Sequence, residues 1–112
     1  MVSRATHMQL LDVALLNDWA RNLRDMFHGQ TPHLVGSALT KSDYRDVNVR
    51  LILADDDHAK LASCVNIDRL NLCLSLWGRQ ATLELPIDCQ LQQMTTANAE
   101  YDGVRRAIGR TR

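Results

Sequence analysis

At 112 residues the chain is one small domain with room for a single core, which excludes a modular enzyme carrying its own separate acceptor-binding domain. Its 13 Lys and Arg balance 13 Asp and Glu, so no global field steers it toward nucleic acid, and any such affinity has to be local. Cys64, Cys73 and Cys89 are odd in number and lack Cys-x-x-Cys spacing, which reads as buried thiols in a reducing compartment rather than disulfides or a zinc site. His7, His28, His33 and His58 are likewise too scattered to ligate zinc. No stretch approaches the roughly 20 apolar residues of a membrane span, so the expectation is a soluble, cytoplasmic protein.

In chain order, Thr6 and Gln9 have capping-box spacing, and Leu11, Leu15, Leu16, Trp19, Ala20, Leu23, Met26 and Phe27 follow at helical period. This predicts a first helix over about 7–28, ended by Gly29. Pro32 breaks the path, and His33 to Val35 reads as a short strand leading into Gly36-Ser37. A polar connection, Lys41 to Arg45, comes next. From Asp46 to Leu53 the residues alternate: Val47, Val49, Leu51 and Leu53 face one way, and Asp46, Asn48 and Arg50 the other. Such alternation predicts a strand with one face on the core and one open.

Asp55, Asp56 and Asp57 read as an acidic turn that also supplies helix caps, ahead of a short helix over about 57–64. Ile67, Leu70, Leu74 and Trp77 recur at i, i+3, i+7 and i+10, predicting a helix over about 66–80 that packs on the apolar side of the sheet. Leu83, Leu85, Ile87, Cys89 and Leu91 then alternate with polar residues, a strand whose open face carries Asp88 and which Pro86 places at an edge. The predicted fold is therefore α+β: a small mixed three-stranded sheet in the order helix-strand-strand-helix-strand, with helices packed on one face and the other face open. The core spans about 8–92. Residues 93–112, with Arg105, Arg106, Arg110 and Arg112 and few apolar anchors, read as a basic, mobile tail.

Nucleotide transfer from a triphosphate needs a phosphate cradle, cations to neutralise charge, and a metal or base to activate the attacking hydroxyl. Gly36 lets a backbone approach phosphate oxygens, and Ser37 adds a hydroxyl and an amide. Asp46 and Asn48 project from one strand face with Cα atoms about 6.5–7 Å apart, a spacing that suits side chains sharing magnesium ions about 3.5–4 Å from each other. Asp88, in phase on the later strand, completes the set as third ligand and local base. Lys41, Arg45 and Arg50 are the candidate phosphate-neutralising cations, Arg50 sharing a face with Asp46. Thr40-Lys41-Ser42 mimics a P-loop only faintly, because Thr40 stands where the motif needs glycine and a strand follows where it needs a helix.

Val35-Gly36-Ser37, an eight-residue spacer, Asp46-Val47-Asn48-Val49 and Ile87-Asp88-Cys89 together resemble the DNA polymerase beta-like nucleotidyltransferase superfamily in its minimal stand-alone form. The resemblance covers about residues 8–92 and includes the element order; the spacer is slightly short. It implies a metal-dependent enzyme that moves a nucleoside monophosphate from a nucleoside triphosphate to a hydroxyl on RNA, protein or a small molecule. Asp46 and Asp88 would be catalytic, Asp46, Asn48 and Asp88 would hold Mg2+ or Mn2+, and Gly36, Ser37, Lys41 and Arg50 would hold the triphosphate. Asn48 departs from the family's carboxylate: its carbonyl can coordinate a metal but brings no charge. Three explanations stay open, namely a natural pseudoenzyme, a site that borrows another carboxylate such as Asp43, or a substitution made to silence the enzyme. The alternative from another class is a catalytically inactive module for nucleotide sensing or partner binding. In either case so short a chain leaves little surface for an acceptor, which favours a homodimer or a partner protein.

Overall fold

The alternation over residues 46–53 makes one side of that segment wholly apolar, and the fold is arranged around burying it. In a computed structural model, residues 9–36, 38, 45–100 and 105–109 are described. The element order is α1 (Leu10–Met26), β1 (His33–Val35), β2 (Val47–Leu53), α2 (Asp55–Cys64), α3 (Ile67–Ala81), β3 (Ile87–Gln93), α4 (Met94–Glu100) and β4 (Arg106–Ala107). The four strands form one mixed sheet in the order β3-β2-β1-β4, with β2 and β3 parallel and β1 antiparallel to both of its neighbours. The class and the mixed sheet agree with expectation; the fourth strand is additional. No helix among the described residues is long and apolar enough to cross a membrane.

Val47, Val49, Leu51, Ile87 and Cys89 line the apolar face and are buried together with Leu16, Trp19, Leu23 and Leu74 from α1 and α3. At Gly78 α3 packs tightly on Trp19 of α1: a methyl group there would stand 2.9 Å from Trp19 Cζ2 and 3.0 Å from Ile87 Cγ2. Trp77 leans edge-on against Trp19, ring centroids 6.0 Å apart at 81°, and keeps 36% of its surface exposed, so only Trp19 is a true core residue.

β3 is an edge strand, as Pro86 implied, but its outer edge is not bare. Arg79 Nε donates to the Ile87 carbonyl at 3.1 Å, Ser75 Oγ accepts from the Cys89 amide at 2.8 Å and donates to its carbonyl at 3.3 Å, and Asn71 Oδ1 accepts from the Leu91 amide at 2.9 Å. Residues four apart on a helix rise about 6 Å and residues two apart on a strand about 6.6 Å, so one polar stripe of α3 runs in step with the strand edge. These bonds blunt an edge that would otherwise template pairing with another chain.

Several expectations are corrected. The alternation over Leu83 to Leu85 is not strand: Leu83 and Glu84 have φ of 55° and 74°, a turn before β3 begins at Ile87. The three aspartates form the first turn of α2 instead of a loop, where their charge complements the helix dipole. Asp55 caps a different helix, accepting bonds from the Thr95 amide and hydroxyl at the start of α4. Those bonds, the hydroxyl's foremost, hold its carboxyl below the usual carboxylate range. The expected mobile tail is ordered over its described parts as α4 and β4. Ala97 and Ile108 are buried, and the Gly109 amide donates to Asn17 Oδ1 at 2.9 Å. Within the same C-terminal part, Gln92 on the polar side of β3 donates to Glu100 of α4 at 3.3 Å.

Cys64 and Cys73 are exposed and only Cys89 is buried, because Cys73 falls on the outer side of α3, one residue ahead of buried Leu74. Burial pushes the Cys89 thiol up to about 12. Two thiols are therefore expected to react with a thiol reagent in the native protein and the third only after unfolding, which a titration with and without denaturant reads directly. Between the ordinary thiol value of 9.0 and about 12 the unfolded chain releases a proton that folded Cys89 keeps, so this residue's contribution to stability falls as pH rises through that window.

Candidate functional site

The polar face of the sheet is built by strand register. Val35 pairs with Asn48, and Asn48 with Asp88, so one rung crosses β1, β2 and β3. Neighbouring strands lie about 4.8 Å apart, which sets the residues at 48 and 88 side by side. Their burial agrees with the phase read from sequence: Val47, Val49, Ile87 and Cys89 are fully buried, and Asn48 and Asp88 are half-buried on the opposite side.

Gly36 follows Val35 at the end of β1 and has φ of 82°, a conformation that side chains rarely adopt. A Cβ on it would stand 2.8 Å from Asn48 Nδ2, so the turn folds directly over the Asn48 amide. Gly36 itself is exposed, leaving its backbone accessible at the sheet's end. Turn, amide and carboxylate are thus gathered in one place by three consecutive strands of the sheet.

Asp46 lies outside this group. It is exposed, one residue before β2, whose first amide, that of Val47, donates to the Pro86 carbonyl at 2.9 Å. It stands at the mouth of the rung, a step further out. Ser37, Lys41 and Asp43 lie outside the described residues.

Arg50 shares the polar face as expected but is not a free cation awaiting phosphate. It is 5% exposed, and one guanidinium nitrogen donates to the carbonyls of Val49 at 3.1 Å and Asp88 at 2.9 Å. A second nitrogen lies 3.7 Å from Asp88 Oδ2. Arg50 therefore positions Asp88 and offsets its charge. Sequence reading missed Gln90, which pairs with Arg50 in register and donates to both Asp88 oxygens at 3.3 and 3.5 Å. The signal was there, since residues 88 and 90 share a strand face.

Among the described residues no three His, Cys, Asp or Glu side chains gather as a ready-made metal site. The donor set of Asp88, Asp46 and the Asn48 carbonyl is all oxygen, and magnesium is commonly held by one or two carboxylates plus substrate phosphates. The residues fit a magnesium ion that arrives with a triphosphate better than one resident beforehand. No protein-family model matches the chain, and no curated protein or solved structure matches it significantly.

Proposed function

We propose that this chain is a nucleotidyltransferase-type domain that binds a magnesium-bearing nucleoside triphosphate over Gly36 and transfers its nucleoside monophosphate to a hydroxyl acceptor. The rung Val35-Asn48-Asp88, with Gly36 at its end, is the observation that carries the reading. The exposed backbone of Gly36 cradles the outgoing phosphates. Asp88 and the Asn48 side-chain carbonyl, with Asp46 reaching in from the residue before β2, would hold a magnesium ion brought by the triphosphate, and the ion would neutralise charge on the phosphates. Asp88, oriented by Arg50 and Gln90, takes the acceptor's proton. The acceptor oxygen bonds to the α-phosphorus, the bond from that phosphorus to the bridging oxygen breaks, and pyrophosphate departs.

Asn48 supports a second reading, a nucleotide-sensing module without catalysis. One charge is missing at the rung, and the remaining carboxylate there is already engaged by Arg50. The test is magnesium-dependent transfer of label from α-labelled triphosphates to total RNA and protein. Transfer that Asp46→Ala and Asp88→Ala each abolish supports catalysis. Bound nucleotide with no transfer, in the wild type and in Asn48→Asp alike, favours sensing.

A further inference from the structure

We infer that the outer face of α3 is the contact surface for a second copy of this chain, the two α3 helices packing antiparallel about a two-fold axis near Leu74. Leu72 and Leu76, 57% and 52% exposed, project from the side of the helix opposite buried Leu74 and Gly78. Val65 before the helix and Leu83 after it are also exposed, at 41% and 73%. At 100° per residue, Asp68, Leu72, Leu76 and Arg79 fall within one sector of the helix. An apolar stripe with charged flanks on an exposed helix is the surface that helix pairing buries.

Charge selects the occupant. A two-fold axis perpendicular to both helices reverses position about Leu74 and keeps each flank of the stripe on its own side, so residues of one flank come beside residues of that same flank at about the same distance beyond Leu74. Leu72 then meets Leu76 of the second copy. On one flank Asp68 lies beside the second copy's Arg79, an opposite-charge pair that symmetry makes twice. On the other flank Arg69 faces Gln80, so no like charges are opposed. A parallel arrangement would set Asp68 against Asp68 and Arg79 against Arg79. Arg79, an exposed residue, is also partly ordered in advance, its Nε bonded to the Ile87 carbonyl. The surface complements itself in one orientation, as an isologous interface must.

Pairing would also lay the second copy's α3 along a groove of about 300 Å³ that Asp68, Leu72 and Arg79 share with Asp88. The interface thereby borders the polar face without depending on what that face does.

Sedimentation equilibrium over a concentration series tests the pairing. The wild type is expected to form a reversible dimer. Leu76→Glu, an exposed change that leaves the circular dichroism spectrum unaltered, is expected to raise the dimer Kd about tenfold or more, and Asp68→Arg to weaken it too by opposing arginines. Cys73 sits on a flank close to the two-fold axis, so a short bismaleimide is expected to cross-link Cys64→Ser into dimers and to leave Cys73→Ser uncross-linked. A wild type that stays monomeric at every concentration overturns the inference, as does a dimer that both interface variants leave unchanged.

Discussion

Asn48→Asp is expected to raise magnesium-dependent label transfer by about 100-fold or more, since even indirect supports of metal ligands are commonly worth 10–100-fold and position 48 is a direct donor in this account. The same change should act in the opposite direction on the metal-free protein. Residues 48 and 88 are register partners on adjacent strands, and like charges placed side by side across strands cost about 0.2–1 kcal/mol. Arg50 and Gln90 already hold Asp88, so a new carboxylate finds no unengaged cation on its own rung. Magnesium with triphosphate should reverse that loss by binding only the folded state. Thermal melts of the wild type and Asn48→Asp, with and without magnesium triphosphate, check the pair of effects: Tm lower for the variant alone and raised more for the variant when ligand is present.

The second large effect concerns the core. Trp19 is 1% exposed and fills the junction of α1, α3 and the sheet, so Trp19→Ala is expected to cost about 3–5 kcal/mol. For a chain of this length total stability is on the order of 5–15 kcal/mol, so the variant stands close to unfolding at room temperature. Gly78→Ala attacks the same junction from the other side. Its methyl would sit 2.9 Å from the Trp19 ring, an overpacking worth about 1–3 kcal/mol. Because the two residues touch, the double variant should cost less than the sum: removing the indole makes room for the methyl. Urea denaturation of the two single variants and the double variant measures this coupling, and strict additivity would mean that the helices do not meet at this point.

The parts of the fold that sequence reveals are those where one period runs uninterrupted. In β2 the valines and leucines at 47, 49, 51 and 53 settle which face is apolar, and with it the side on which Asn48 and Arg50 emerge. In α3 the stripe of Ile67, Leu70 and Leu74 does the same. Where alternation continues past the strand it misleads: Leu83 and Leu85 keep the pattern through a turn with positive φ. α4 is illegible for a different reason. Met94–Glu100 presents Ala97 as its buried residue, and its start is fixed by Asp55, forty positions earlier in the chain. The polar stripe of Asn71, Ser75 and Arg79 has no sequence signature either, since its purpose is visible only beside the edge of β3.

The candidate site divides along the same line. The phase of Asp88 follows from alternation, but its placement beside Asn48 follows from β2 and β3 being parallel and in register, which alternation leaves open. Arg50 was read as a phosphate-binding cation from its face alone. Its burial comes with the guanidinium folding back on the carbonyls of Val49 and Asp88, a contact set by the pairing of β2 with β3 that alternation alone does not reveal.

The measurement closest to the central claim is a nitrogen-15 amide spectrum of the wild type and of Asn48→Asp, titrated with magnesium and each of the four ribonucleoside triphosphates. Shifts centred on Gly36, Asn48 and Asp88 are expected for at least one triphosphate, larger in Asn48→Asp and lost in Asp88→Ala. Spectra of both proteins that stay unchanged at those three amides with all four triphosphates would contradict it.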